Sequence, residues 1–176
     1  MCWKVSANSK KKSFLYQAKD LIYTAPPQSL LEHLKEPLNR KQSYKNRLVN
    51  LPDPSGAVVF YSALKKEHIK KISSNHYQFV SHQFGSLFVS ISEDGDGRAP
   101  IGEVTLIASV FTNTKDWFNL DKQNYLKKKK DFMSKISLEL ENKFNIVPEN
   151  WLHRELATPL GFEKWTNRPN GIVGGL

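Results

Sequence analysis

"DKQNYLKKKKDFMSKISLELENKF", residues 121–144, is where the chain changes period. Tyr125, Phe132, Met133, Ile136, Leu140 and Phe144 are spaced to share one face of a helix, whereas almost every apolar run before them is short and β-favouring. A chain that runs through strands and then into one long amphipathic helix needs a sheet for that helix to cover. Upstream, "AVVFYSAL" (57–64), "NHYQFVSH" (75–82), "SLFVSIS" (86–92) and "EVTLIASVFT" (103–112) supply the strands, separated by turn-rich segments whose spacing predicts an antiparallel or mixed sheet.

Nearer the start, "CWKVSA", the polar "NSKKKS" and "FLYQAKDLIYTAPP" predict a strand, a turn and a second strand that ends at Pro26 and Pro27. A short helix is expected over "QSLLEHLK", followed by a basic polar crossing between two layers, residues 36–56. From Asn145 onward the chain reads as irregular, rich in Pro, Gly, Trp and Arg.

Composition bounds the function. The 176 residues suit one ordinary domain with its own core. Lys and Arg number 26 against 17 Asp and Glu, a net charge of +9 that favours anionic partners without choosing among them. The single cysteine, Cys2, excludes an internal disulfide and a cysteine-cluster zinc site, which makes a reducing compartment the default. No run approaches the roughly 20 apolar residues of a membrane span.

Three constellations invite chemistry. In "SEDGDGRAPIGE" Asp94, Asp96, Gly97 and Glu103 occupy places of a calcium loop, but Ser92 stands where the first carboxylate belongs, and Pro100 and Gly102 interrupt the pattern. A connection between two strands is the better reading. His76 and His82 share a face of a predicted strand yet lie roughly 20 Å apart, and His33, His68 and His153 add no ligand spacing, so no metal site is expected. The lysine run 127–130 is read first as a solvated face, with an anionic lipid contact ranked above nucleic acid.

The end of the chain carries a more specific pattern. In "ELATPLGFEKWTNRPNGIVGGL", Ala157, Thr158, Pro159, Phe162, Thr166, Arg168, Pro169, Gly171, Gly174 and Gly175 match, in order, a signature of the phytoene desaturase and carotene isomerase family of flavoproteins, which the chain resembles. "SISEDGDGRAPIGEVTLIAS" resembles the cyanobacterial-type carotenoid 3,4-desaturase branch, and "AKDLIYTAPPQSLLEHL" is similar to the segment where such chains return to the FAD domain.

The resemblance implies an α/β chain, α+β as an isolated piece, with a mixed sheet and covering helices, part of an amine-oxidase-like two-domain flavoprotein. It divides the chain into a strand pair and crossing segment of an incomplete FAD-binding domain (1–50), a substrate-binding domain (51–150) and a segment returning toward the flavin (151–176). The implied activity is FAD-dependent carotenoid desaturation or isomerisation, carried by a C-terminal fragment inactive alone, since no G-x-G-x-x-G turn is present. FAD would be bordered by Thr158, Pro159, Arg168, Gly174 and Gly175, with its main binding domain on a second polypeptide. Phe60, Tyr61, Phe88 and Trp165 are the candidates for contact with a carotenoid. Phe60, Tyr61, Phe79, Phe88, Val89 and Phe111 either form a tunnel wall or pack as plain core; Trp117, Trp151 and Trp165 stand under the same two readings. Arg98 and Arg168 either meet flavin phosphates or pair at the surface. The implied location is the cytoplasmic side, peripheral to an anionic membrane surface reached through Tyr125, Phe132 and Met133 of the basic helix. Nucleic acid is not an expected partner. A carotenoid- or lipid-binding module without chemistry is the alternative.

Overall fold

A computed structural model describes residues 2–34, 42–51, 55–69 and 72–173, which fall into two compact units, Met1–Leu51 and Pro52–Leu176.

In the first unit, β1 (Trp3–Asn8) and β2 (Ser13–Ala18) form an antiparallel hairpin in unbroken register from Trp3↔Ala18 to Asn8↔Ser13. Its turn is closed by the Ser9 amide donating to the Lys12 carbonyl at 2.8 Å, while the Ser9 hydroxyl oxygen accepts from the Lys12 amide. The predicted second strand stops early: Leu21, Ile22, Tyr23 and Thr24 are not in a strand. A 3-10 turn, Pro27–Ser29, leads into α1 (Leu30–His33), and the basic stretch read as a plain crossing contains α2 (Gln42–Val49).

The second unit is a five-stranded sheet of β3 (Gly56–Lys65), β4 (His76–Ser81), β5 (Gly85–Ile91), β6 (Glu103–Thr112) and, after α3 (Lys115–Phe118) and α4 (Lys122–Phe144), β7 (Trp151–Ala157). The strand order is β4-β5-β6-β3-β7 and every described pairing is antiparallel, the first of the two arrangements read from the strand spacing and a correction to the mixed sheet that the resemblance implies; the architecture is of the α+β kind. The stretch read as irregular after Asn145 therefore supplies an edge strand and α5 (Pro159–Thr166).

α4 starts because the Asp121 carboxylate accepts the Asn124 amide at 2.9 Å, an N-cap that satisfies one of the helix's free donors. It stops where Asn145 turns left-handed at φ 52. Along it Ile136, Leu140 and Phe144 are buried, and Tyr125, Phe132 and Met133 pack against the same core. Phe132 meets Trp117 at 5.2 Å between ring centroids and Phe84 at 5.3 Å; Phe144 meets Tyr77 at 5.2 Å. The stripe expected to face a bilayer is thus spent on the sheet. Its strand-side partners are Val58, Phe60 and Leu64, Leu87, Val89 and Ile91, and Val104, Leu106, Ala108 and Val110.

Candidate functional site

A sheet covered by a helix on one face leaves the other face to be accounted for. Side chains alternate along a strand, so Phe60, fully buried and edge-on to Trp151 at 5.8 Å, points opposite to Tyr61, which is 38% exposed. The same parity puts Phe88 and Phe111 on Tyr61's side, 44% and 69% exposed, whereas Phe79 and Val89 join the helix-side core. The six residues read as one wall therefore divide three and three between two faces. Of the substrate candidates, Tyr61 and Phe88 share the open face, Phe60 lies in the core, and Trp165 stands 82% exposed on α5 under the Lys164 ammonium.

Register fixes what surrounds the open rings. One row across the sheet reads Gln78, Phe88, Ser109, Val59, Ala157; the next reads His76, Ser90, Ile107, Tyr61, Glu155. Five strands make this face about 19 Å wide. Phe88 is stacked on His76 at 5.9 Å, and at the β4 edge Gln78 donates to the Ser86 hydroxyl at 2.9 Å. Between Phe88, Phe111 and Tyr61 lie the small Ser109, Val59 and Ser90, a low floor between raised rings. Ile107, Val59 and Ser109 were not singled out from sequence; counting parity outward from Tyr61 finds them.

The terminal signature forms a joint rather than an opening. Thr158 is buried at the start of α5, and its hydroxyl shares a 2.9 Å hydrogen bond with the Tyr125 hydroxyl of α4. Pro159 is buried beside it. Gly171, at φ 60, lies so close to Pro159 that an added Cβ would fall 1.9 Å from the Pro159 carbonyl oxygen, and the backbone then pairs back on β3 through Gly56↔Ile172 and the Val173 amide donating to Ser55. Arg168 is exposed and donates to the Ile172 carbonyl. Gly174 and Gly175 lie outside the described residues.

These placements test the fit of a flavin. The Thr158 hydroxyl is already engaged, Pro159 is enclosed, and the close approach allowed by Gly171 is filled by the chain's own carbonyl. The described residues assigned to FAD by resemblance do not form a seat for it.

The acidic loop between β5 and β6 is a self-contained connection. The Gly102 amide and then Lys66 hold the Asp94 carboxyl below its ordinary range; Arg98, by side chain and amide, does the same for Asp96. Arg98 is thereby paired at the surface. His82 falls beyond the end of β4, and among the described residues no cluster of His, Cys, Asp or Glu could hold a metal ion. Two open depressions lie elsewhere, one of about 410 Å³ lined by Glu67, His68, Asn145, Val147 and Asn150, the other of about 720 Å³ between Lys65–Ile69 and Ile101–Glu103. Both have charged rims, unlike the aromatic face.

No family model, curated protein or solved structure matches the chain.

Proposed function

We infer that this chain provides a substrate-facing wall for a FAD-dependent oxidoreductase of carotenoid biosynthesis, a carotenoid desaturase or carotene isomerase. The observation that carries the reading is the open sheet face, where Tyr61, Phe88, Phe111 and Ile107 surround a floor of small side chains. A polyene hydrocarbon offers no group to hydrogen-bond, so it is held by apolar area and flat rings, each buried ring contributing on the order of 1–2 kcal/mol. The family enters this reading through the resemblance of residues 157–171 alone, whose described members form a joint and no flavin seat. A flavin supplies the hydride-accepting chemistry that amino-acid side chains lack. These 176 residues contain no G-x-G-x-x-G turn, so this reading requires another polypeptide segment to hold the flavin pyrophosphate, and no redox step is assigned to the residues described here.

The same face favours a second reading, a carotenoid-binding module without chemistry, because such a module needs the floor and no flavin seat. Purification from a carotenoid-accumulating host tests both. Pigment is expected to travel with the protein, and Tyr61→Ser together with Phe88→Ser is expected to weaken its retention by on the order of 100-fold. Pigment that converts when a FAD-binding polypeptide is added supports the enzyme reading; bound but unconverted pigment supports the module. A colourless protein, or a double variant that keeps its colour, removes both.

A further inference from the structure

The hairpin β1–β2 has two unlike faces. Trp3, Val5 and Ala7 pair across the strands with Ala18, Tyr16 and Phe14, so one face is wholly apolar, with Phe14 stacked on Tyr16 at 6.2 Å. Lys4, Ser6 and Asn8 pair with Gln17, Leu15 and Ser13 on the other. Trp3, Phe14 and Tyr16 are all exposed, which a two-stranded sheet tolerates poorly, since such a hairpin is marginal without something on its apolar side. Residues 2–19 contain five lysines, at 4, 10, 11, 12 and 19, and no Asp or Glu; all five are exposed.

We propose that this hairpin docks on an anionic lipid bilayer surface, its Trp3–Tyr16–Phe14 face seated at the headgroup and acyl boundary and its lysine turn against the headgroups. Three observations favour lipid over the other occupants. Trp and Tyr, each with an apolar body and one polar atom, suit a membrane interface. The aliphatic Val5, Ala7 and Ala18 fill the face between the rings, a surface that hydrocarbon covers and a nucleobase does not. Phe14 and Tyr16 stack on each other instead of standing free to receive bases, as a single-strand binder requires. A second copy would double a charge that nothing in the hairpin neutralises. α4 is a poorer candidate, because its apolar stripe is buried on the sheet.

Cys2, the chain's single cysteine and exposed beside Trp3, provides a reporter position. With an environment-sensitive dye there, the whole protein is sedimented with vesicles of phosphatidylserine in phosphatidylcholine, or of phosphatidylcholine alone, both free of carotenoid. The expected result is binding and a blue shift with the anionic vesicles only. Replacing Lys10, Lys11 and Lys12 by Gln should weaken it by on the order of 100-fold, since each lysine contributes at the surface and the ring face is left intact. Trp3→Ser should weaken it about tenfold. The control Lys122→Gln, Lys127→Gln, Lys130→Gln on α4 should change it little. An equal loss in that control, a dye that never shifts, or displacement from vesicles by single-stranded DNA would each overturn the proposal. Because neither vesicle contains a polyene, failure here leaves the carotenoid reading standing, and failure of that reading leaves this one.

Discussion

Two adjacent residues of β3 should behave in opposite ways. Phe60 is fully buried against Trp151 and the α4-covered core; Tyr61 shows 38% of its surface on the other face, opposite Ile107 and Glu155. Truncating a buried phenylalanine to alanine loses its transfer free energy and leaves a cavity, together about 3–5 kcal/mol. For a unit of this size each kcal/mol moves the melting temperature by roughly 3–5 °C, so Phe60→Ala should melt about 9–25 °C below the parent. Tyr61→Ala loses cross-strand contacts of about 1 kcal/mol or less and should stay within about 5 °C. Tryptophan fluorescence follows both melts, since Trp117 and Trp151 lie in or against the core. Pigment retention should then reverse the order, with the folded Tyr61→Ala protein losing colour. If Tyr61→Ala melts as low as Phe60→Ala, the face it occupies is not open and the assignment of the site fails.

Glycines give a second contrast. Gly171→Ala forces a side chain onto the Pro159 carbonyl at a left-handed φ and should cost about 3 kcal/mol or more, whereas Gly161→Ala in α5 meets nothing within 4 Å and should stabilise by about 0.5–1 kcal/mol. Urea midpoints rank the two, and the reverse ranking would mean that residues 158–173 are not docked on β3. Acid should also be destabilising. Asp94, Asp96 and Asp121 are held below the ordinary carboxyl value of 3.8 by amide or guanidinium donors in the folded chain, so their contribution is complete above that value and is lost as pH falls through the lowered ones. Asn at all three positions should flatten the acid limb of the melting profile; an unchanged limb would assign it to other groups.

The helix at 122–144 and the four strands before it were legible because each carries a strong period and is bounded by turns. β7 was not. "WLHRELA" sits at the sheet edge with Leu156 as its one fully buried residue, so its hydrophobic signal is no stronger than that of a loop. Strand direction was equally hidden: a mixed and an antiparallel sheet place the same residue types in their strands, and pairing alone separates them. The open face was legible by residue type but not by orientation. "AVVFYSA" and "TLIASVF" are apolar on both sides of the strand, which removes the polar alternation that would have set Phe60 apart from Tyr61. α4 illustrates a related ambiguity, because an apolar stripe has the same spacing whether it meets a sheet or a bilayer.

The two uncovered apolar surfaces differ in the way that matters for what each can bind. The two central rows of the sheet face carry no lysine or arginine; Glu155 is their one ordinarily charged side chain, and it lies on the edge strand. The hairpin carries Lys10, Lys11 and Lys12 in its turn, at one end of the ring face, with Lys4 on the opposite face and no carboxylate within residues 2–19. A neutral polyene gains nothing from a cation, and a lysine beside it would have to be desolvated without a partner. Anionic headgroups gain from each cation, and that attraction is screened within about 10 Å at 0.1 M salt. Retention on the sheet face should therefore be nearly indifferent to ionic strength, while hairpin docking should weaken steeply as salt rises. Opposite salt responses of the two would tie retention to apolar area and docking to charge; the same response in both would refute the distinction.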